Sequence, residues 1–182
     1  IYLQGKNLDE AISQYQAILK QNPQFLPAYM ALGTIYDQQG EGKKAEGYYR
    51  QSLKIKPDFG PAANNLAWHL AQSGGNIDEA LGFAQIAKEQ IPRNAAVMDT
   101  LGWIYYLKGS YLNAISELQD SLELDPNNPV INYHLGLAFY KNEQPDAARE
   151  SLEKALEIKP DFEGADEARR ILQNIKSPGG SK

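Results

Sequence analysis

Cysteine is absent from the 182 residues and histidine occurs only twice. The first absence removes disulfides, thiolate catalysis and Cys-ligated metals together, and leaves the redox compartment open. The second leaves His69 and His134 in different segments, with no carboxylate at helical ligand spacing. No metal centre is therefore expected, and both imidazoles read as surface or groove side chains. There is also no block of Lys and Arg to offset a net charge of -5, so neither a nucleic-acid backbone nor an anionic membrane is the expected main partner. No apolar run approaches the roughly 18 residues of a membrane span. The opening "IYLQGKNLDE" lacks the charged and apolar regions of a signal peptide. The glycines and lysines of "GEGKKAEG" (Gly40–Gly47) miss the phosphate-loop spacing, and no strand-turn-helix presents a serine nucleophile. Catalysis and cofactors are not expected.

What the chain does have is repetition. Hydrophobic residues make up 42%, enough to fold rather than stay disordered. Pro23, Pro57, Pro92, Pro126 and Pro160 follow one another at spacings of 34, 35, 34 and 34 residues, each after an apolar-periodic segment. Because the residue before a proline disfavours the helical region, each proline ends one helix and marks the turn to the next. The one longer spacing comes from an extra residue in "QSGGN".

Within each period two helices can be read. The first carries Leu32-Gly33 with Tyr36, Leu66-Ala67 with Leu70, Leu101-Gly102 with Tyr105, and Leu135-Gly136 with Phe139. A turn signal follows at Gly40, Gly74-Gly75, Gly109 and "NEQP". The second carries Ala11, Ala45, Ala80, Ala114 and Ala148, followed four residues later by Tyr15, Tyr49, Ala84, Leu118 and Leu152. A Gly inside a helix costs about 0.5–1 kcal/mol against Ala, so close packing at these places must offset it.

This pattern resembles the tetratricopeptide repeat family, whose 34-residue helix-turn-helix unit places Leu-Gly and Tyr on its first helix, Ala on its second and a closing Pro. The family's early Trp is replaced by Tyr29, Ala63, Met98 and Asn132. The resemblance implies an all-α fold, a right-handed α-solenoid of antiparallel helix pairs. A partial repeat is expected over 1–25, full repeats over 26–59, 60–94, 95–128 and 129–162, a capping helix over 163–176 and a flexible tail over 177–182. Tyr2 takes the place of Tyr36 and Tyr105, so the chain is expected to start mid-repeat. The cap has Phe162, Ala165, Ala168, Leu172 and Ile175 on one face and charges on the other.

The stretch "DTLGWIYYLKG" holds two stripes. Met98, Leu101, Gly102 and Tyr105 follow i, i+3, i+4, i+7 and read as packing. Asp99, Trp103 and Tyr106 follow i, i+4, i+7 on a neighbouring stripe, where the repeat does not require aromatics. In the family this second stripe lines the concave surface, where peptide ligands lie extended. The expected groove residues are Asn64, Asn65, Trp68, Asp99, Thr100, Trp103, Tyr106, Tyr133, His134 and Tyr140. The alternative is that the rings pack between first helices of adjacent repeats. An Asn at the place of Asn65 often bonds a ligand backbone in the family. A carboxylate clamp is not expected, because its matching places hold Pro27, Ala31, Pro61, Ala96 and Thr100 beside that Asn. With Asp37 and Asp99 making the channel mildly acidic, the expected partner is a protein or peptide segment with apolar or aromatic anchors and a basic side chain stacked near Asp99.

Two other readings stay open: a structural module that self-associates, and a regulatory segment of a larger protein. The phrases "NNLAWHLA" and "INYHLGLAFYK" also resemble bacterial repeat proteins of exopolysaccharide and exosortase-type export clusters. The partner, pathway and compartment do not follow from the sequence; a bacterial cytoplasm or cell envelope would both fit.

Overall fold

A computed structural model describes residues 5–176, so the start of the expected partial repeat, with Tyr2, and the expected tail over 177–182 lie outside the described residues. Among the described residues there are ten helices and no strand. They are α1 (Gly5–Gln21), α2 (Leu26–Gln38), α3 (Gly42–Ile55), α4 (Gly60–Gln72), α5 (Ile77–Gln90), α6 (Ala95–Leu107), α7 (Tyr111–Leu124), α8 (Pro129–Lys141), α9 (Pro145–Ile158) and α10 (Ala165–Lys176).

Local chemistry sets these limits. Prolines occupy the first turns of α2, α4, α8 and α9, where a missing N–H costs no hydrogen bond. Asn94 and Asn128 cap α6 and α8 by accepting backbone N–H groups, and Asn76 Oδ1 does the same for Asp78 and Glu79 at the start of α5. Three of the hairpin turns reach positive φ through Gly40, Gly74 and Gly109. In the fourth the same conformation falls on Glu143 (φ 60), a residue type that bears a steric cost there of roughly 1–2 kcal/mol.

The chain divides into two compact units at Gln90/Ile91. In the first, α2 pairs with α3 and α4 with α5, α1 packs on α2 and α3 on α4. In the second, α6 pairs with α7 and α8 with α9, while α7 and α6 both pack on α8 and α10 packs on α9. The fold is thus all-α, built from antiparallel helix pairs.

The small residues of the first helices sit where the second helices come closest. A Cβ on Gly33 would run into the ring of Tyr49. On Gly102 it would lie 2.7 Å from Leu118, and on Gly136 2.6 Å from Leu152. In the remaining hairpin the matching places hold Ala67 and Ala84, both fully buried. Two moderate residues thus fill the space that a glycine and a large side chain fill elsewhere. Tyr105, expected in the core stripe, is only half-buried against it.

Polar ties hold the turns. Tyr29 donates its hydroxyl to the Pro23 carbonyl at 2.9 Å, and Asn132 Nδ2 reaches the carbonyls of Pro126 and Asn128 at 3.3 and 2.8 Å. These two residues stand where the family has its early Trp. Ser121 Oγ donates to the Ala95 carbonyl at 2.8 Å, tying α7 to the start of α6.

Candidate functional site

In the second unit the first helices α6 and α8, with α10, form one wall, and α7 and α9 stand behind them. The i, i+4, i+7 stripe of α6 carries Asp99, Trp103 and Tyr106 onto this wall. Trp103 is sandwiched: its ring lies 4.9 Å from Tyr106 and 4.4 Å from His134 of α8, nearly parallel to both. His134 Nδ1 in turn lies 2.7 Å from Asp99 Oδ1. An ionised carboxylate only accepts, so the imidazole donates. The side chains of this pair are 5% and 13% exposed. Trp103 is half-buried; its Nε1 is shielded from solvent and makes no hydrogen bond among the described residues.

Several expected groove residues lie elsewhere. Thr100 is 3% exposed, and its hydroxyl donates to the Ala96 carbonyl at 2.8 Å. His134 is buried and tied to Asp99 rather than presented as a free imidazole. Tyr133 is 7% exposed; its ring closes on Phe162 edge-on and rests against Gly164, where a Cβ would come within 2.5 Å of it. Its hydroxyl donates to Glu167 Oε2 at 2.9 Å. Burial, then the bond to Glu167, pushes the Tyr133 phenol far above its ordinary pKa. These three side chains are buried, and for Tyr133 and His134 the reason is that α8 is flanked by α6 on one side and the cap on the other. Asp99 likewise does not face an open channel: its side chain is 13% exposed and accepts from His134. Of the rings on the stripes of this unit, Trp103, Tyr106 and Tyr140 keep partial exposure.

Tyr106 and Tyr140 border a cleft of about 320 Å³. Leu137, Lys141, Glu167, Arg170, Ile171 and Asn174 complete its lining, so the cap supplies half of it. The Tyr106 phenol is held above its usual pKa, by burial first and then by the negative charge of Glu167.

The first unit repeats part of this logic. Tyr49 of α3 donates its hydroxyl to Asp37 Oδ2 at 2.7 Å, and Asp37 Oδ1 lies 3.4 Å from His69 Nδ1 of α4. Burial first, then the bond to Asp37, raises the Tyr49 phenol to about 12, against opposing effects of Thr34 and Asn65. Asn65 therefore sits within the influence of this phenol. Asn64, Asn65 and Trp68 are each half-buried on α4, and Asn64 Oδ1 is shielded without a hydrogen bond among the described residues. Both histidines of the chain thus face an aspartate on the preceding first helix. The sequence reading missed these pairs because each joins residues more than thirty positions apart, and no local spacing announces them. Among the described residues no group of three or more His, Cys, Asp or Glu could hold a metal ion, and no helix is long and apolar enough to cross a membrane.

Paired helices repeated at a near-constant spacing, with small residues at each crossing and an aromatic stripe on the first-helix wall, define a helical-repeat protein. Sequence comparison specifies which: a TPR repeat model matches residues 102–143, and two tetratricopeptide repeat models match 129–162 and 1–58. The chain belongs to the tetratricopeptide repeat family. Among curated relatives it is 29% identical to human tetratricopeptide repeat protein 13 over 85% of its length, and 27% identical to the peroxisomal targeting signal receptor of Komagataella phaffii over 76%. It spans only 18% and 26% of those proteins. Among solved structures, PilW, a type IV pilus biogenesis factor, superposes with a TM-score of 0.79 at 22% identity, covering 94% of this chain and 81% of PilW. YrrB, described as a TPR protein with an unusual peptide-binding site, gives 0.72 at 24% identity, covering 91% and 84%. At these identities the likeness is one of fold. The narrower resemblance to exopolysaccharide-export proteins gains no support from these matches.

Proposed function

We propose that the chain is a non-catalytic interaction scaffold that holds an extended peptide or protein segment against a first-helix wall within a unit. In the second unit the contact residues are Trp103, Tyr106 and Tyr140; in the first they are Trp68 with Asn64 and Asn65. The observation that carries the reading is the stacked, half-exposed Trp103–Tyr106 pair beside an open cleft. Tyr and Trp suit such a surface because they offer large area, few rotors and a polar tip. Each ring covered by a ligand contributes roughly 1.5–3 kcal/mol at most, so two or three rings, once the cost of association is met, fall short of the ~8 kcal/mol of micromolar binding, and further contacts along the segment must supply the rest. The His134 sandwich supports the reading in a second way, because it fixes the indole before any ligand arrives and so lowers the entropy lost on binding. Two matched proteins are described by ligands of this kind, a targeting-signal receptor and a protein with a peptide-binding site.

The test is selection from a random peptide display library on the wild-type chain and on a Tyr106→Ala/Tyr140→Ala variant whose helicity and melting are confirmed by circular dichroism. The expected result is enrichment of a peptide class by the wild type that weakens at least tenfold on the variant. Enrichment of the same peptides with equal affinity by both proteins would overturn the proposed site.

A further inference from the structure

We infer that the cleft of the second unit selects segments in which an apolar or aromatic side chain stands beside an acidic one; this rests on the peptide-binding reading above and adds the sign of the charge. The volume, about 320 Å³, sits at the lower end of ligand pockets and admits one or two side chains. Its apolar lining comes from Tyr106, Leu137, Tyr140 and Ile171. Its cations come from two helices: Lys141 from the last position of α8 and Arg170 from the cap.

The nearby carboxylates are already engaged. Asp99 is buried against His134 Nδ1 at 2.7 Å. Glu167 accepts the Tyr133 hydroxyl at 2.9 Å on one oxygen and Arg170 Nη2 at 3.3 Å on the other. A basic ligand residue would thus meet two cations against one carboxylate, Glu167, which already accepts two bonds. An acidic residue would meet Lys141 and the remaining guanidinium donors of Arg170, which has five N–H groups to share. The local excess of positive charge runs against the net charge of -5 carried by the chain. The preference is therefore a property of this cleft and not of the protein's overall field. The basic partner anticipated from Asp99 is replaced by an acidic one because the carboxylate on which that expectation stood is buried against the imidazole and closed to a ligand.

The experiment uses the full chain and three fluorescein-labelled, C-terminally amidated heptapeptides read by fluorescence anisotropy at low ionic strength. One is Gly-Ser-Asp-Phe-Asp-Ser-Gly; the others replace both Asp by Asn or by Lys. Amidation removes the terminal carboxylate as a competing explanation. The Asp peptide is expected to bind about three- to fivefold tighter than the Asn peptide, the range that exposed ion pairs supply, with the Lys peptide weakest. In a Lys141→Gln/Arg170→Gln variant the Asp and Asn peptides should bind alike, at the affinity the Asn peptide has for the wild type. High salt should level the two peptides in the same way. Equal binding of all three peptides to the wild type, or tighter binding of the Lys peptide, would overturn the charge preference while leaving the wider reading in place. No binding by any of them would overturn it too, and the library selection would then decide the wider reading separately.

Discussion

The two units use the same pair of residue types at the same kind of junction and obtain different things from it. In the first, Asp37 and His69 are 3.4 Å apart, and their side chains are 36% and 15% exposed. In the second, Asp99 and His134 are 2.7 Å apart and nearly sealed, with Trp103 stacked on the imidazole. An exposed pair is screened and contributes little, while a buried one is costly to break because the survivor loses both water and partner. The first pair keeps Asp37 available to Tyr49; the second commits Asp99 entirely to holding the aromatic stack. Solvent thus still reaches the first pair and hardly reaches the second.

The largest test of this contrast is truncation of each imidazole. His134→Ala should cost about 2–4 kcal/mol, combining an unpartnered buried carboxylate with a lost ring stack. His69→Ala should cost less than about 1 kcal/mol. Urea denaturation monitored by circular dichroism measures both, and equal losses would break the comparison.

Next in size is an alkaline effect. The Tyr49 phenol titrates near 12 in the folded chain, against about 10 when unfolded. A raised phenol pKa means that the folded state retains its proton where the unfolded state has lost it. The associated stability is complete below pH ~10 and falls as pH rises towards about 12, by roughly 2 kcal/mol. Tyr49→Phe should lose the Asp37 bond at neutral pH yet show a shallower decline across that window. Parallel pH profiles for the two proteins would refute the assignment.

The smallest effect separates tight crossings from open helix faces. Gly102→Ala forces a methyl against Leu118 and should cost about 1–2 kcal/mol net of the helix propensity gained. Gly82, on α5, has nothing within 4 Å of the added carbon, so Gly82→Ala should instead stabilise by about 0.5–1 kcal/mol. Opposite signs in thermal melts sharpen the distinction, and a shared sign removes it.

The repeat was legible because it is written locally. A proline at each turn and a small residue at each crossing are consequences of backbone sterics, which act within a few residues. The packing stripe of Met98, Leu101 and Gly102 is buried as the helical period implies. The second stripe was legible only in part. A helical wheel gives the direction of a side chain but not what stands beside it, so Trp103 and Tyr106 keep the partial exposure it implies while Thr100, Tyr133 and His134 are buried. The burial of Tyr133 and His134 depends on α6 and on the segment entering the cap, where Gly164 makes room for the Tyr133 ring. Glu143 was invisible for a related reason: its turn adopts the conformation of the glycine turns without the residue that signals it.

The close approach of Gly33, Gly102 and Gly136 to Tyr49, Leu118 and Leu152 always links places sixteen residues apart. Neither member of such a couple can change size alone, because its counterpart fixes the available volume. When many hairpins of this kind are aligned, the two columns should vary inversely in bulk, as the Ala67 and Ala84 hairpin already does within this one chain. A designer could then exchange whole hairpins between positions by matching that single compensated couple.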